Sequence, residues 1–238
     1  MAEKSVDTIV ADVRVCLDEI GVNEAEFLLD ADSEDMVNVI KSKIPDAIRH
    51  VYLNADQAFI AYKVKTGKVV SGDDGVVTCT LDPDFLRLVY ARLDDWKTSV
   101  TEAIMHTDRR YATLKNPITT GYPDNPKAAI VDDAEDDIAL IDDSDVPVED
   151  GEEGTEDNTT LSDTYSTRKL ELYSSSTKSG EVRYVYGYVN NPTLSDGYYE
   201  IDERVYRAVV YQTAGLTLQA FKDAHAESMF NMALTMMK

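Results

Sequence analysis

The chain has 238 residues, with 45 acidic and 23 basic side chains and a formal net charge of −22. This balance argues against a sequence-independent nucleic-acid binder, because such affinity depends on lysine and arginine neutralising phosphates. It also disfavours docking on an anionic membrane. No apolar run reaches the roughly 20 residues of a spanning helix, and the first residues lack the apolar core of a signal peptide.

The N-terminal segment predicts two helices. Ser5 is a suitable N-cap for a helix that runs to about Ile20, and the apolar residues of this helix recur at helical spacing. Ser33 is the candidate cap of a second helix, which extends to about Ala55. Pro45 predicts a kink or a restart within it, because proline has no amide hydrogen.

The period then changes from helical to alternating. Residues 64–70 and 76–81 flank the turn-forming segment 71–75, and together they predict a β-hairpin. Asp82 caps a predicted long helix that ends near His106, with proline in its first turn. The apolar stripe of this predicted helix is Phe85, Val89, Leu93, Trp96, Val100 and Ile104.

Residues 128–167 contain 15 acidic side chains and no lysine or arginine. The part at about 143–163 has too few apolar residues to offset the entropy lost on ordering, so a flexible acidic insertion is predicted. Beyond it, 168–173 and 181–189 predict a second hairpin, and Asp202 caps the first of two final helices.

These elements predict an α+β, mainly α fold: a helical bundle core with two β-hairpin excursions and a flexible acidic insertion. The N-terminal half (1–127) and the C-terminal segment (168–238) are expected to build one core together, with 128–167 inserted between them. The two cysteines, Cys16 and Cys79, lie in apolar patterns and are expected to be reduced core thiols.

No motif identifies a reaction. Gly72-Asp73-Asp74 resembles the metal-binding hairpin of RNA-dependent polymerases, but Asp-Gly is a common hairpin turn, and the turn is favoured. The acids between Asp30 and Asp35 lack the glycine and the closing glutamate of a calcium loop. His106, with Asp108, Arg109 and Arg110, is explained by cations at a helix C-terminus. The prediction is therefore a non-enzyme without catalytic residues, metal or cofactor.

Two groups of side chains are candidate subunit or partner contacts. Tyr184, Tyr186 and Tyr188 share one face of a predicted strand, where they pack either on a partner or on a second layer of the same chain. Methionines in the last helix either fill the core or form an adaptable interface. The methionine candidates are Met229, Met232 and Met236.

Two segments resemble the head–tail connector (adaptor) proteins of tailed bacteriophages, especially those of gut Bacteroidetes and the crAss-like group. Residues 35–48 resemble the early connector helices, with an acidic start, repeated isoleucine and an Asp-Ala-Ile step. Residues 205–221 and 226–233 resemble the C-terminal helix pair, with small residues in the first helix and an Ala-Glu-x-x-aromatic step in the second.

The resemblance implies a virion protein that assembles in the bacterial host cytoplasm and forms a homo-oligomeric ring, commonly of twelve subunits. Such a ring binds the portal protein and other connector or tail proteins, and encloses DNA without sequence-specific binding. No catalytic residue is carried over. A ring built from one repeated heterologous contact needs two different complementary patches. The alternative from the residues alone is an acidic protein-binding module, such as a DNA mimic or a host-takeover factor.

Overall fold

The computed structural model describes residues 2–19, 33–114, 116, 122–132 and 168–238. Within these ranges about 38% of the chain is helix and 33% strand, arranged as five α-helices and three sheets. The prediction of a mainly α helical bundle is therefore wrong, and the fold is mixed α and β.

The described helices are α1 (Val6–Glu19), α2 (Ser33–Asn54), the single turn α3 (Tyr111–Leu114), α4 (Glu203–Ala220) and α5 (Ala226–Met236), with a 3₁₀ turn at Gln57–Phe59. The strands are β1 (Ala2–Ser5), β2 (Lys63–Val70), β3 (Val77–Thr80), β4 (Phe85–Leu93), β5 (Ile104–Met105), β6 (Lys127–Asp132), β7 (Arg168–Tyr173), β8 (Glu181–Asn190), β9 (Leu194–Ser195) and β10 (Tyr198–Ile201).

The strands form a small sheet in the order β1-β10-β9, a central sheet β2-β8-β4 and an outer sheet β3-β7-β6-β5. All neighbours are antiparallel except β5 and β6. The central and outer sheets share one hydrophobic cluster, which makes them a β-sandwich. Its buried residues include Leu93, Trp96, Leu170, Leu172 and Tyr186.

The helices α1, α2, α4 and α5 form a second hydrophobic cluster, which we call the helical unit. Val89 of β4 and Val189 of β8 belong to this cluster, so part of the central sheet is covered by helices on one face and by the outer sheet on the other. Both clusters contain residues from before and after the acidic segment.

The helix starts follow from capping chemistry. The Thr8 amide donates to Ser5 Oγ at 3.0 Å, as the sequence predicts for α1. The Arg204 amide donates to the Asp202 carboxylate at 3.2 Å at the start of α4. In α2 the helix continues through Pro45, so of the two predicted alternatives, a kink or a restart, the restart is wrong. One lost backbone hydrogen bond is outweighed there by packing, since Ile40, Ile44 and Ile48 are buried.

The predicted long helix after Asp82 is wrong. Residues 85–93 form β4, and a turn at Asp94–Asp95 leads to an isolated bridge between Val100 and Ala91. Because β4 has one side in the sandwich and the other against helices, apolar residues occur on both of its faces. A strand covered on both faces loses the alternating pattern that identifies strands.

Both predicted hairpins have their turns where expected but the wrong strand pairing. β2 pairs with β8 over eight residues, and β3 pairs with β7. The first turn therefore passes from the central to the outer sheet, and the second passes back from the outer to the central sheet. The two turns bond to each other: the Ser71 amide donates to the Gly180 carbonyl at 2.9 Å, and the Ser175 amide donates to the Gly75 carbonyl at 3.0 Å.

Of the predicted insertion 128–167, residues 128–132 belong to β6. Residues 133–167, which include the segment predicted to be flexible, lie outside the described residues. β6 pairs in register with β7, so the two ends of this stretch are neighbours in the outer sheet.

Candidate interaction surfaces

The tyrosine face of β8 points into the sandwich. Tyr186 is fully buried, Tyr188 is 4% exposed and Tyr184 is half-buried. The ring centroids are 6.1 Å apart for Tyr184 and Tyr186, and 5.7 Å apart for Tyr186 and Tyr188. Of the two arrangements that the sequence leaves open, the structure therefore has the stripe packed on a second layer of the same chain.

The hydroxyl groups of this stripe reach polar partners at the edge of the sandwich. Tyr188 donates to Asp82 Oδ2 at 2.8 Å, and Lys65 Nζ donates to Asp82 Oδ1 at 2.5 Å. Burial raises the pKa of Asp82, but the hydrogen bonds from Lys65 and Tyr188 outweigh it and lower this pKa below its ordinary value. Burial, together with the Asp82 carboxylate, raises the pKa of Tyr188. Lys65 thus compensates the negative charge of Asp82, and the three side chains form a structural hydrogen-bond network.

The predicted methionine contacts divide between core and surface. Met229 is 1% exposed and belongs to the helical unit, whereas Met232 is 40% exposed and Met236 is half-buried. Leu234 is also exposed on the same helix. Met232 is therefore the predicted methionine most open to a partner, and its role in an interface stays a prediction.

The Gly72-Asp73-Asp74 segment is a turn, as the sequence favours. The Gly72 amide donates to the Val76 carbonyl at 2.8 Å, and Asp74 Oδ1 accepts the Val76 amide at 3.0 Å. Gly75 has a φ of 78°, a backbone conformation that suits glycine. The Asp73 carboxylate accepts a hydrogen bond from the Ser179 hydroxyl of the neighbouring turn.

Asp95 fastens the serine-rich turn between β7 and β8. Its Oδ2 accepts from the Ser175 hydroxyl at 2.9 Å, the Ser176 amide at 2.6 Å and the Ser176 hydroxyl at 2.8 Å. Burial raises the pKa of Asp95, but the lowering by these hydrogen bonds is larger. The pKa of Asp95 therefore lies below its ordinary value. The sequence contained no signal for this contact, which joins residues about 80 positions apart.

His106 does not lie at a helix C-terminus, because residues 104–105 form β5, and that interpretation is wrong. Its Nδ1 lies 3.6 Å from the Asp132 carboxylate of β6. Arg110 instead pairs with Asp108 at 2.8 Å within one exposed turn. The described residues thus do not bring these groups into one acid–base site.

The acids at Asp30 and Asp32 lie outside the described residues. Within the described ranges no three histidine, cysteine or acidic side chains form a possible metal cluster. Neither Cys16 nor Cys79 is in a disulfide, as predicted, and burial raises the pKa of Cys79 to about 12.

Two concave surfaces carry opposite charge, and sequence reasoning missed both. The acidic pocket, of about 500 Å³, is lined by Glu3, Asp84, Asp196 and Glu200, with Lys63 as its basic residue. The basic pocket, of about 580 Å³, is lined by Lys68, Arg92 and Arg183, with Asp94 as its acidic residue. The strand register places Glu3 opposite Glu200 and Lys68 opposite Arg183, residues far apart in the sequence.

No model of a known protein family matches the chain, and no curated protein matches it in sequence. Across the described part of the chain, every helix is too short or too polar to cross a membrane.

Proposed function

We propose that the chain is a structural virion protein of a tailed bacteriophage, forming a ring at the head–tail junction that connects the portal to the tail around the DNA channel. The proposal starts from the resemblance of residues 35–48 and 205–233 to connector helices. It is supported by how these segments meet in space.

The observation that carries the proposal is the fit between α4 and α5. A Cβ atom at Gly215 would lie 2.6 Å from Cε1 of Phe230, so the aromatic ring occupies the space that glycine leaves free. These are a small residue of the first helix and the aromatic of the Ala-Glu-x-x-aromatic step, the two features that define the resemblance. They are in direct contact.

The two resembling segments also belong to one structural unit. Ile40, Ile44 and Ile48 of α2 share a hydrophobic cluster with Val209 and Met229 of the C-terminal pair. At their junction the Asp202 amide donates to Tyr52 Oη at 2.9 Å, and burial raises the pKa of Tyr52 to about 12. The β-sandwich is encoded between the two segments.

The charge of the chain is compatible with a channel wall. A strongly negative wall repels DNA and does not retain it during passage. The same charge is compatible with the alternative of an acidic binding module, so an assembly experiment is needed to separate the two.

The test is light scattering and then cryo-EM of the full chain, alone and mixed with the portal protein of the same source. We expect a ring stacked on the portal. A matched pair of variants addresses the predicted contact on α5. M232E places a charge on the exposed methionine and should weaken ring formation, whereas N231E charges an exposed position about 100° around the helix and should not.

A chain that stays monomeric with the portal present would contradict the proposal and favour the acidic binding module. Rings that form equally well with M232E would remove Met232 from the interface while leaving the ring itself intact.

A further inference from the structure

The central sheet has a face that its own helices cover only in part. Val89 and Val189 contact the helical unit, but Thr66, Lys68 and Val70 of β2 are exposed on the same face, farther along the sheet. Val70 is 66% exposed, which is unusual for valine in a strand. This uncovered area includes the basic pocket, and we call it the basic face.

The basic face contains a directly opposed pair of like charges. Lys68 of β2 lies opposite Arg183 of β8 in the antiparallel register, and such a pair is unfavourable in the isolated chain. Lys68 turns to Glu181 at 3.1 Å, whereas Arg183 and Arg92 form no ion pair with any described residue. The face therefore has two exposed guanidinium groups beside exposed apolar surface.

The small sheet shows the same arrangement with the opposite sign. Glu3 of β1 lies directly opposite Glu200 of β10, and both side chains are exposed. Leu194 and Tyr198 are 54% and 48% exposed at the adjoining β9–β10 hairpin. We call Glu3, Glu200 and this hairpin with its Asp196 the acidic edge. It offers both carboxylates and apolar contact area.

One chain cannot join its own two surfaces. Arg183 lines the basic pocket and Asn190 lines the acidic pocket on the same strand, β8. They are seven residue steps apart along the strand, which is about 23 Å. Because both surfaces belong to sheets, the acidic edge of a chain cannot reach its own basic face, and only the acidic edge of another molecule can.

We propose that the basic face of one copy binds the acidic edge of a second copy. Arg92 and Arg183 would pair with Glu3 and Glu200, and the exposed apolar side chains of the two surfaces would bury one another. The two surfaces differ, so the contact is heterologous and repeats to give a ring or a filament. This inference rests on the proposed function, since the two surfaces are interpreted as the two complementary patches that a ring needs.

The experiment is a charge exchange in the full chain, followed by sedimentation velocity at several salt concentrations. R92E/R183E puts acid on the basic face, and E3R/E200R puts base on the acidic edge. Each variant alone should lose self-association by roughly 100-fold or more, since like charges then face each other. An equimolar mixture should regain self-association when the two variants alternate. The unchanged basic face of E3R/E200R then meets the unchanged acidic edge of R92E/R183E, and the new acidic face of R92E/R183E meets the new basic edge of E3R/E200R.

Matched controls change the same charges elsewhere on the surface. R49E/K222E and D46R/E102R alter exposed residues outside both surfaces and should leave self-association unchanged. Melting curves of all variants test whether they fold. Wild-type association should also weaken as salt rises, because ionic contacts at an interface rim are screened.

Failure of the mixture to recover association, or a wild-type chain that never self-associates, would overturn the pairing. A second result would also overturn the pairing: a variant with the acids of 133–163 neutralised loses association, while E3R/E200R retains it. In that case the basic face binds the acidic segment and not the acidic edge. A closed dimer that obeys the charge exchange supports the pairing but counts against the ring. Portal-bound rings formed normally by R92E/R183E overturn the pairing and leave the proposed function standing.

Discussion

The helical unit and the β-sandwich differ in what fills them. The helical cluster consists mainly of aliphatic side chains and alanine, and the contact between α4 and α5 depends on the absence of a side chain at Gly215. The sandwich contains Trp96 and the β8 tyrosines, whose hydroxyl groups reach Asp82 and the Thr80 carbonyl at its edge. A tyrosine ring can therefore be buried between the two sheets while its hydroxyl group reaches an acceptor at the edge of the sandwich.

The two regions also differ in how they are connected in sequence. The helical unit joins the first 55 residues to the last 40, while the sandwich comes from the middle of the chain. They meet at β4, where Arg87 Nη1 and Nη2 donate to the carbonyls of Leu53 and Ala55 at the end of α2, at 3.0 and 2.7 Å. Burial lowers the pKa of Arg87. This side chain couples the two cores.

The largest expected effect is in the sandwich. Y186A removes a fully buried ring and should lower the free energy of unfolding by about 3–5 kcal/mol. Urea unfolding should be followed by fluorescence of the single tryptophan, which lies in the sandwich, and by circular dichroism, which is dominated by helices. Y122A, at a ring that is 61% exposed, is the control and should change little.

The second-largest effect is expected at Arg87, which joins the helical unit to the β-sandwich. R87A leaves two carbonyls at the end of α2 without their charged donor and should cost about 2–3 kcal/mol. The tryptophan and circular dichroism transitions, which we expect to coincide in the wild type, should separate in R87A. R49A, an exposed arginine on α2, should leave them coincident. Coincident transitions in R87A would show that the cores are joined by other contacts.

A smaller effect is expected in the helical unit. G215A places a methyl group against the Phe230 ring and should destabilise the chain by about 1–2 kcal/mol, because a packed interface tolerates added volume poorly. F230L in the G215A background should recover part of the loss. If G215A is neutral, the α4–α5 contact is looser than the structure shows.

The smallest effect depends on pH. D95A removes the acceptor of the 175–177 turn and should cost about 1 kcal/mol at neutral pH. The folded-state pKa of Asp95 is below its ordinary value, so its contribution is present above the unfolded-state pKa and is lost as pH falls through the folded-state pKa. The difference between D95A and wild type should therefore shrink in acid. D94A, which removes an exposed carboxylate next to Asp95, is the control for stability at neutral pH and should change it little.

The fold was predictable from the sequence where one face of a helix or strand is buried and the other is exposed to solvent. α1 and α4 have a clear apolar stripe and a capping residue, and both begin where Ser5 and Asp202 predict. β4 was not predictable, since its residues Leu86, Leu88 and Val89 are apolar on both faces. Its leucine and alanine content also favours a helix when judged alone.

The candidate surfaces were less predictable than the fold. For Tyr186 and Met229 the sequence left open a partner contact or a place in the core, because a buried layer and a partner interface use the same side chains, and both residues lie inside the chain. Arg183 and Glu200 gave no signal, since an isolated charge on a strand is ordinary. Their importance appears only when the register places Lys68 opposite Arg183 and Glu3 opposite Glu200.

By itself, the sequence determined the elements that depend on short-range physics: the caps and stripes of the helices, the turns at 71–75 and 174–180, and the placement of charge along the chain. The tertiary structure decided which strands pair, that the two turns cross between sheets, and which charges meet. Those choices depend on contacts between residues about 100 positions apart, where the free energy gained by burying a whole sheet face outweighs any local preference.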